Sequence, residues 1–133
     1  MTVQLNHTIV WCRDKIKSSS FLTEILGLPP ATVFGPMMVV PLGNGASLDF
    51  YAQDNEIAMQ HYAFLVSEEE FDQILARVRE RGMTFWSLPG KQFRGEINHV
   101  DGGRGFYFDD PDGHFLEVIT RPYGGLAGSF GTY

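Results

Sequence analysis

QHYAFLVSEEEFDQILARVRERG, residues 60–82, reads as one strand running into one helix. Gln60 to Val66 is apolar and extended in character, and Ser67 followed three residues later by Glu70 is a capping box that starts a helix. Phe71, Ile74, Leu75 and Val78 then recur at helical spacing. The acidic first turn (Glu68, Glu69, Glu70) and the basic last turns (Arg77, Arg79, Arg81) both complement the helix dipole, and Gly82 ends the helix. Three further strands follow: Met83 to Leu88, a stretch before Asp109, and His114 to Arg121. The same order is found upstream. Leu5 to Cys12 reads as a strand closed by Arg13-Asp14, and Phe21, Leu22, Ile25 and Leu26 mark a helix stopped at Gly27. Extended segments at Thr32 to Phe34, Met37 to Leu42 and Ala46 to Ala52 complete that half, separated by Gly-Pro and Gly-Asn-Gly turn signals. The chain is therefore β, α, β, β, β written twice.

Superposing the halves sets Asn6-His7 opposite Gln60-His61 and Leu48-Asp49-Phe50 opposite Leu116-Glu117-Val118. The second half is longer, with the extra residues around Lys91 to Arg104. Alternation along strands groups His7 with Ile9 and Trp11, His61 with Ala63 and Leu65, Asp49 with Ser47 and Tyr51, and Glu117 with Phe115 and Ile119. The opposite faces carry Tyr62, Phe64, Val66, Leu48, Phe50, Leu116 and Val118, the apolar set for helices to cover. One strand histidine alone is more often a surface or satisfied core residue than a ligand. Two histidines and two carboxylates at repeat-equivalent positions on the polar face are another matter, because a divalent ion removes the several kcal/mol it costs to bury such groups together. Two His and one carboxylate with open positions suit Fe(II), Mn(II), Ni(II) or Zn(II) and leave room for a small-molecule substrate.

With these residues in place, the chain resembles the vicinal oxygen chelate superfamily over residues 4–123. This group includes glyoxalase I, epimerases, fosfomycin-resistance thiol transferases, bleomycin-binding proteins and extradiol dioxygenases. The strongest local marker is Phe106-Tyr107-Phe108-Asp109-Asp110-Pro111-Asp112-Gly113-His114-Phe115-Leu116-Glu117, similar to the family's turn and final strand. The resemblance implies an α+β fold of two paired βαβββ modules forming a curved mixed sheet around a metal site. It implies one domain over residues 1–133, with modules at about 4–54 and 58–123 and a tail at 124–133. It places His7, His61 and Glu117 at the metal-ligand positions, and Asp49 where four-ligand members carry Glu or Gln. It also implies a homodimer.

The stretch Ile97-Asn98-His99, Phe106-Tyr107, Asp110-Pro111-Asp112-Gly113 and Glu117 is similar to the extradiol dioxygenase signature. That likeness implies Fe(II), with His99 moving a proton and Tyr107 hydrogen-bonding a bound catecholate, so ring cleavage of a catechol-like aromatic is the leading expectation. Glyoxalase-type isomerisation, epimerisation or lyase chemistry is the alternative, with Asp49 as fourth ligand or base. Thiol transfer of the fosfomycin type is another, with Lys91, Arg94 and Arg104 meeting a phosphonate. A bleomycin-type binder without catalysis would instead stack a drug on Trp11, Trp86, Phe93, Phe106, Phe108 or Phe115.

Composition narrows the field. The chain has 133 residues, with room for one core of ordinary size. Its net charge of -6 argues against nucleic-acid or anionic-membrane partners, and no apolar run approaches the ~20 residues that span a bilayer. The single Cys12 cannot form an internal disulfide, which suits a reducing cytoplasm, and alternation puts it on the helix-covered side. His114 points away from Phe115 and Glu117, and Phe130 and Tyr133 of the tail are candidates to dock on a neighbouring subunit.

Overall fold

The structure is a computed structural model and describes residues 2–123. The chain divides into two compact units, Met1–Ala58 and Met59–Tyr133. The expected tail contacts of Phe130 and Tyr133 lie outside the described residues.

The first unit runs β1 (His7–Cys12), α1 (Lys15–Leu26), β2 (Thr32–Phe34), β3 (Met37–Pro41) and β4 (Ser47–Ala52). Its sheet has the order β1-β4-β3-β2, with β1 and β4 parallel and the other pairs antiparallel. A parallel pair needs a long crossover, and α1 belongs to it. The Asp14 carboxylate caps α1 by accepting from the backbone N–H groups of Ile16 and Lys17, and Gly27 ends it at φ 73°. Val10, Cys12, Val40, Leu48 and Phe50 are buried together with Leu22 and Ile25 of α1. The apolar stripe of α1 is narrower than its sequence implies, since Phe21 and Leu26 are half-buried while Ser18, Ser19 and Thr23 are buried. The hydroxyls of Ser19 and Thr23 enter without penalty because they donate to the carbonyls of Ile16 and Ser20.

The second unit runs β5 (His61–Leu65), α2 (Glu68–Glu80), β6 (Trp86–Leu88), β7 (Gln92–Arg94), β8 (Gly105–Asp109) and β9 (Phe115–Ile119). A 3-10 turn at Val100–Gly102 precedes β8. The sheet order is β5-β9-β8-β6-β7, with β5 and β9 parallel. Both halves of the capping box form: Glu70 N–H donates to Ser67 Oγ and Ser67 N–H donates to Glu70 Oε1. Phe71, Ile74, Leu75 and Val78 of α2 are buried with Phe64, Phe106, Phe108, Leu116 and Val118 of the sheet. Phe71 and Phe106 meet edge to face, with centroids 5.4 Å apart.

Two details differ from the sequence reading. The strand expected at Met83 to Leu88 forms only at Trp86–Leu88, and β7, which was not expected, pairs back on it. Lys91 and Phe93 both hold positive φ, at 59° and 58°, so the hairpin interrupts the alternation that would have marked a strand. Phe106 and Phe108 are fully buried among core residues, which removes them as stacking surfaces for a bound drug. No helix among the described residues is long and apolar enough to cross a membrane.

Candidate metal centre

The turn before β9 sets the site. Asp110 Oδ1 accepts from the N–H groups of Asp112 and His114, and Gly113 supplies the φ of 86° that the turn requires. His114, fully buried, accepts the Gln60 N–H at Nδ1, while Phe115 N–H donates to Gln60 O. These bonds fix where β5 meets β9. His61 then stands opposite Phe115, and Glu117 lies two residues further along the parallel partner.

Glu117 is 1% exposed, yet its carboxylate is the centre of a polar cluster. His61 Nε2 is 3.1 Å from Glu117 Oε1, and the Tyr123 hydroxyl donates to Glu117 Oε2. Tyr123 has one hydroxyl proton and it is used there, so Tyr107 is the donor in the 3.1 Å bond between the two phenols. The result is a directed chain, Tyr107 to Tyr123 to Glu117. Burial pushes the Tyr107 hydroxyl up to about 12, and burial followed by the bond to Glu117 raises Tyr123 well above the ordinary phenol value. Both stay protonated and donating at neutral pH.

The donor set fits a cation. His61 Nδ1 lies 2.8 Å from Phe115 O, a carbonyl that can only accept, so Nδ1 carries the proton. A neutral imidazole then presents the Nε2 lone pair to a carboxylate oxygen, two acceptors facing each other at 3.1 Å. A second ring proton, a proton on the carboxyl or a cation reconciles them. The backbone carbonyl at Nδ1 is the usual outer partner of a metal-binding histidine, and the 46% exposure of the His61 side chain leaves that edge open.

The first unit repeats the register. His7 pairs with Ser47 and Asp49 lies two residues on, as His61 pairs with Phe115 ahead of Glu117. His7 and Asp49 line one cleft of about 400 Å³ with Asn6, Ser47, Met37 and Phe34. Here the details diverge. His7 Nδ1 donates to Asn6 Oδ1 at 2.7 Å, and the buried Asp49 accepts from Ser47 Oγ at 2.8 Å, the shorter acid being satisfied within its own strand.

His99 precedes the 3-10 turn and is exposed. Its neighbour Asn98 is pinned by a bridge to Gly105 and by donating to Ser87 O at 2.6 Å, but the His99 ring bonds neither Glu117, His61 nor Tyr107 among the described residues. Of the sequence-derived site residues, the second unit thus brings together His61, Glu117 and Tyr107. Among the described residues no group of three His, Cys, Asp or Glu side chains is close enough to hold a metal by itself. Tyr123 was missed by the sequence reading. Its signal was parity, since 117, 119, 121 and 123 continue one alternation past the end of β9. The basic residues expected to meet a phosphonate are largely engaged: Arg104 pairs with Glu68 and Asp72 of α2, and Lys91 with Asp109.

Two repeated units of βαβββ order, the second with β7 added, and a histidine and a carboxylate in matching register define a glyoxalase-type architecture. Residues 4–118 match the Glyoxalase/Bleomycin resistance protein/Dioxygenase superfamily, and the chain belongs to it. It is 34% identical to the glutathione transferase FosA of Serratia marcescens, over 89% of this chain and 81% of that protein. Among solved structures it is similar to Oxidase ChaP-H2, with 56% identity, a TM-score of 0.92, and coverage of 95% of this chain and 100% of that one. Oxidase ChaP-H1 follows at 55% identity and a TM-score of 0.91, covering 93% and 100%. The chain is accordingly an enzyme of glyoxalase-family type.

Proposed function

We propose that this chain is a metal-dependent oxidase acting on a small catechol-like aromatic with dioxygen as oxidant, ring cleavage of the extradiol type being the expected outcome. The observation that carries the reading is the His61–Glu117 contact in which two acceptors face each other. The 56% identity to an oxidase supports redox chemistry over group transfer. His61 and Glu117 are two metal ligands in this reading, His7 is the third that the family resemblance implies, and a homodimer is the assembly it implies. A divalent ion held there, Fe(II) in this reading, would supply Lewis-acid and redox chemistry.

The protein's own groups do the rest. Tyr107 and Tyr123 hold their protons and orient the buried carboxylate, so that Glu117 offers Oε1 in one direction. The rings of His61, Phe115, Tyr107 and Trp86 form a continuous aromatic floor, with Tyr107 and Phe115 stacked at 5.2 Å and 12°. A flat ring laid on that floor is held without bulk water. His99 moves a proton to or from the substrate, and Asp49 is the second candidate base.

A second reading, thiol transfer, is favoured by the 34% identity to a glutathione transferase. The acidic partners of Arg104 and Lys91 weigh against it. The test is to strip the protein and titrate it anaerobically with Fe(II), Mn(II), Ni(II) and Zn(II) by calorimetry, for wild type, Glu117→Ala and His7→Ala. Oxygen uptake with catechols on the Fe(II) form follows. One tight site lost in both variants, with oxygen consumption, is the expected result. Binding of no ion, or glutathione conjugation without oxygen uptake, overturns it.

A further inference from the structure

Across the sheet of the second unit the strand register forms a row: Glu117 pairs with Tyr107, Tyr107 with Trp86, and Trp86 with Arg94. Residues directly opposite one another in adjacent strands project to the same face. The ring contacts agree, since Trp86 lies 6.3 Å from Phe115, which lies 5.9 Å from His61. Arg94 therefore stands on the edge strand at the far end of the aromatic floor that begins at the His61–Glu117 pair.

Its charge differs from that of its neighbours in being uncommitted. Lys91 Nζ is 3.0 Å from Asp109 and sits 4.9 Å over the Trp86 ring. Arg104 is held by Glu68 and Asp72. Arg94 is exposed and has no acidic partner among the described residues. The backbone around it is unusual as well. Phe93, immediately before it, holds a φ of 58°, a conformation disfavoured for a bulky side chain, and Gly95 after it holds 78° and donates to Phe85 O at 2.8 Å. Such strain collects where a position is specified by something other than folding alone.

We propose that Arg94 is a substrate-positioning residue that takes an anionic group, a carboxylate or phenolate, at the end of the aromatic substrate remote from the His61–Glu117 pair; this rests on the reading that the pair marks the reacting end. Three interstrand spacings put the Arg94 and Glu117 backbones roughly 14 Å apart, and an arginine reaching back about 6 Å leaves about 8 Å between its fork and the carboxylate. A substrate of this class carries its negative charge about one ring and a short arm away from its reacting oxygens. The competing role for an edge-strand cation is to prevent pairing with another chain, which a lysine performs equally well. Bidentate capture of a carboxylate needs the arginine fork.

The experiment compares 3-(3,4-dihydroxyphenyl)propionate with 4-propylcatechol, a pair matched in ring and arm and differing in charge. Binding to the purified full chain is measured anaerobically by calorimetry at low salt, for wild type, Arg94→Gln, Arg94→Lys and Glu117→Ala. Wild type binds the propionate about tenfold or more tightly than the neutral probe, Arg94→Gln loses that preference without changing affinity for 4-propylcatechol, and Arg94→Lys recovers only part of it. No charge preference in wild type, or the same preference in Arg94→Gln, overturns the proposal. Glu117→Ala separates the two claims. Retention of metal in that variant refutes the metal centre and leaves the Arg94 comparison standing, whereas unchanged charge preference in Arg94→Gln refutes Arg94 alone.

Discussion

The hydrogen-bond chain Tyr107 to Tyr123 to Glu117 has a direction, and direction makes its two tyrosines unequal. Tyr123→Phe removes the donor from Glu117 Oε2 and the acceptor from the Tyr107 hydroxyl at once. Glu117 is 1% and Tyr107 5% exposed, so water cannot readily replace either bond. An unsatisfied buried group costs about 1–3 kcal/mol, which puts the Tyr123→Phe penalty at about 2–5 kcal/mol, with the upper end reserved for the charged acceptor. Tyr107→Phe removes only the outermost donor. Tyr123 keeps its bond to Glu117, and the loss is that of one neutral hydrogen bond, about 0.5–1.5 kcal/mol. Urea unfolding of metal-free protein, with unchanged slope as the check on a common unfolded state, measures both. Orienting partners of metal ligands also set affinity, so Tyr123→Phe should weaken metal binding by about 10–100-fold in the same calorimetric assay. A Tyr107→Phe penalty equal to or larger than that of Tyr123→Phe would show that the bond order is reversed or that the chain does not orient the carboxylate.

His99→Ala should leave metal affinity unchanged and slow turnover about a hundredfold or more if the ring transfers a proton, and wild-type turnover returns His99 to an ordinary surface role. Ser67→Ala should cost about 1 kcal/mol at neutral pH through loss of the α2 cap, read from the urea midpoint. The Ser67 backbone N–H holds the Glu70 carboxyl below its usual range, so that contribution is present above the ordinary carboxylate pKa and is lost as pH falls through the lowered one. Glu70→Ala removes that titrating carboxyl, so the gap between wild type and Glu70→Ala narrows in acid, and a gap independent of pH contradicts the bond from Ser67 N–H to Glu70. Gly105→Ala would set a Cβ 3.2 Å from both side-chain polar atoms of Asn98 and from Val118 O. The displaced Asn98 loses its bond to Ser87 O, and the expected loss is about 1–3 kcal/mol in thermal or urea unfolding.

How far the sequence carries depends on whether the signal is local. The capping box and apolar stripe of α2 are self-contained, and the helix forms where they specify, at Glu68–Glu80. The repeat carries the rest of the topology, because a histidine heading the first strand and an acid in the last recur in the same element order in both halves, although the second half is longer. Pro89-Gly90 announces the turn after β6, but β7 itself was illegible because positive φ at Lys91 and Phe93 breaks the regular alternation that marks a strand. In α1 the reading overestimated the apolar stripe, because Ser19 and Thr23 are buried through bonds to their own helix and contribute nothing to hydropathy.

The site separates in the same way. Alternation brought Glu117 and His61 onto one face and the family resemblance added Tyr107, but no rule of spacing distinguishes a histidine whose Nδ1 is bonded to a carbonyl from one whose ring is free. That distinction decides whether a cation belongs there. The repeat shows how the two units came to differ. Both present a histidine at the head of a parallel pair and an acid two residues along its partner, yet the glutamate reaches the ring while the aspartate bonds the serine beside it. One methylene separates an acid that completes a contact across strands from an acid that stays within its own. In the second unit the acid and the histidine ring meet at 3.1 Å. The first unit keeps its buried carboxylate on Ser47, in a cleft that His7 also lines, so one duplicated pattern yields one acid that reaches its histidine and one that does not.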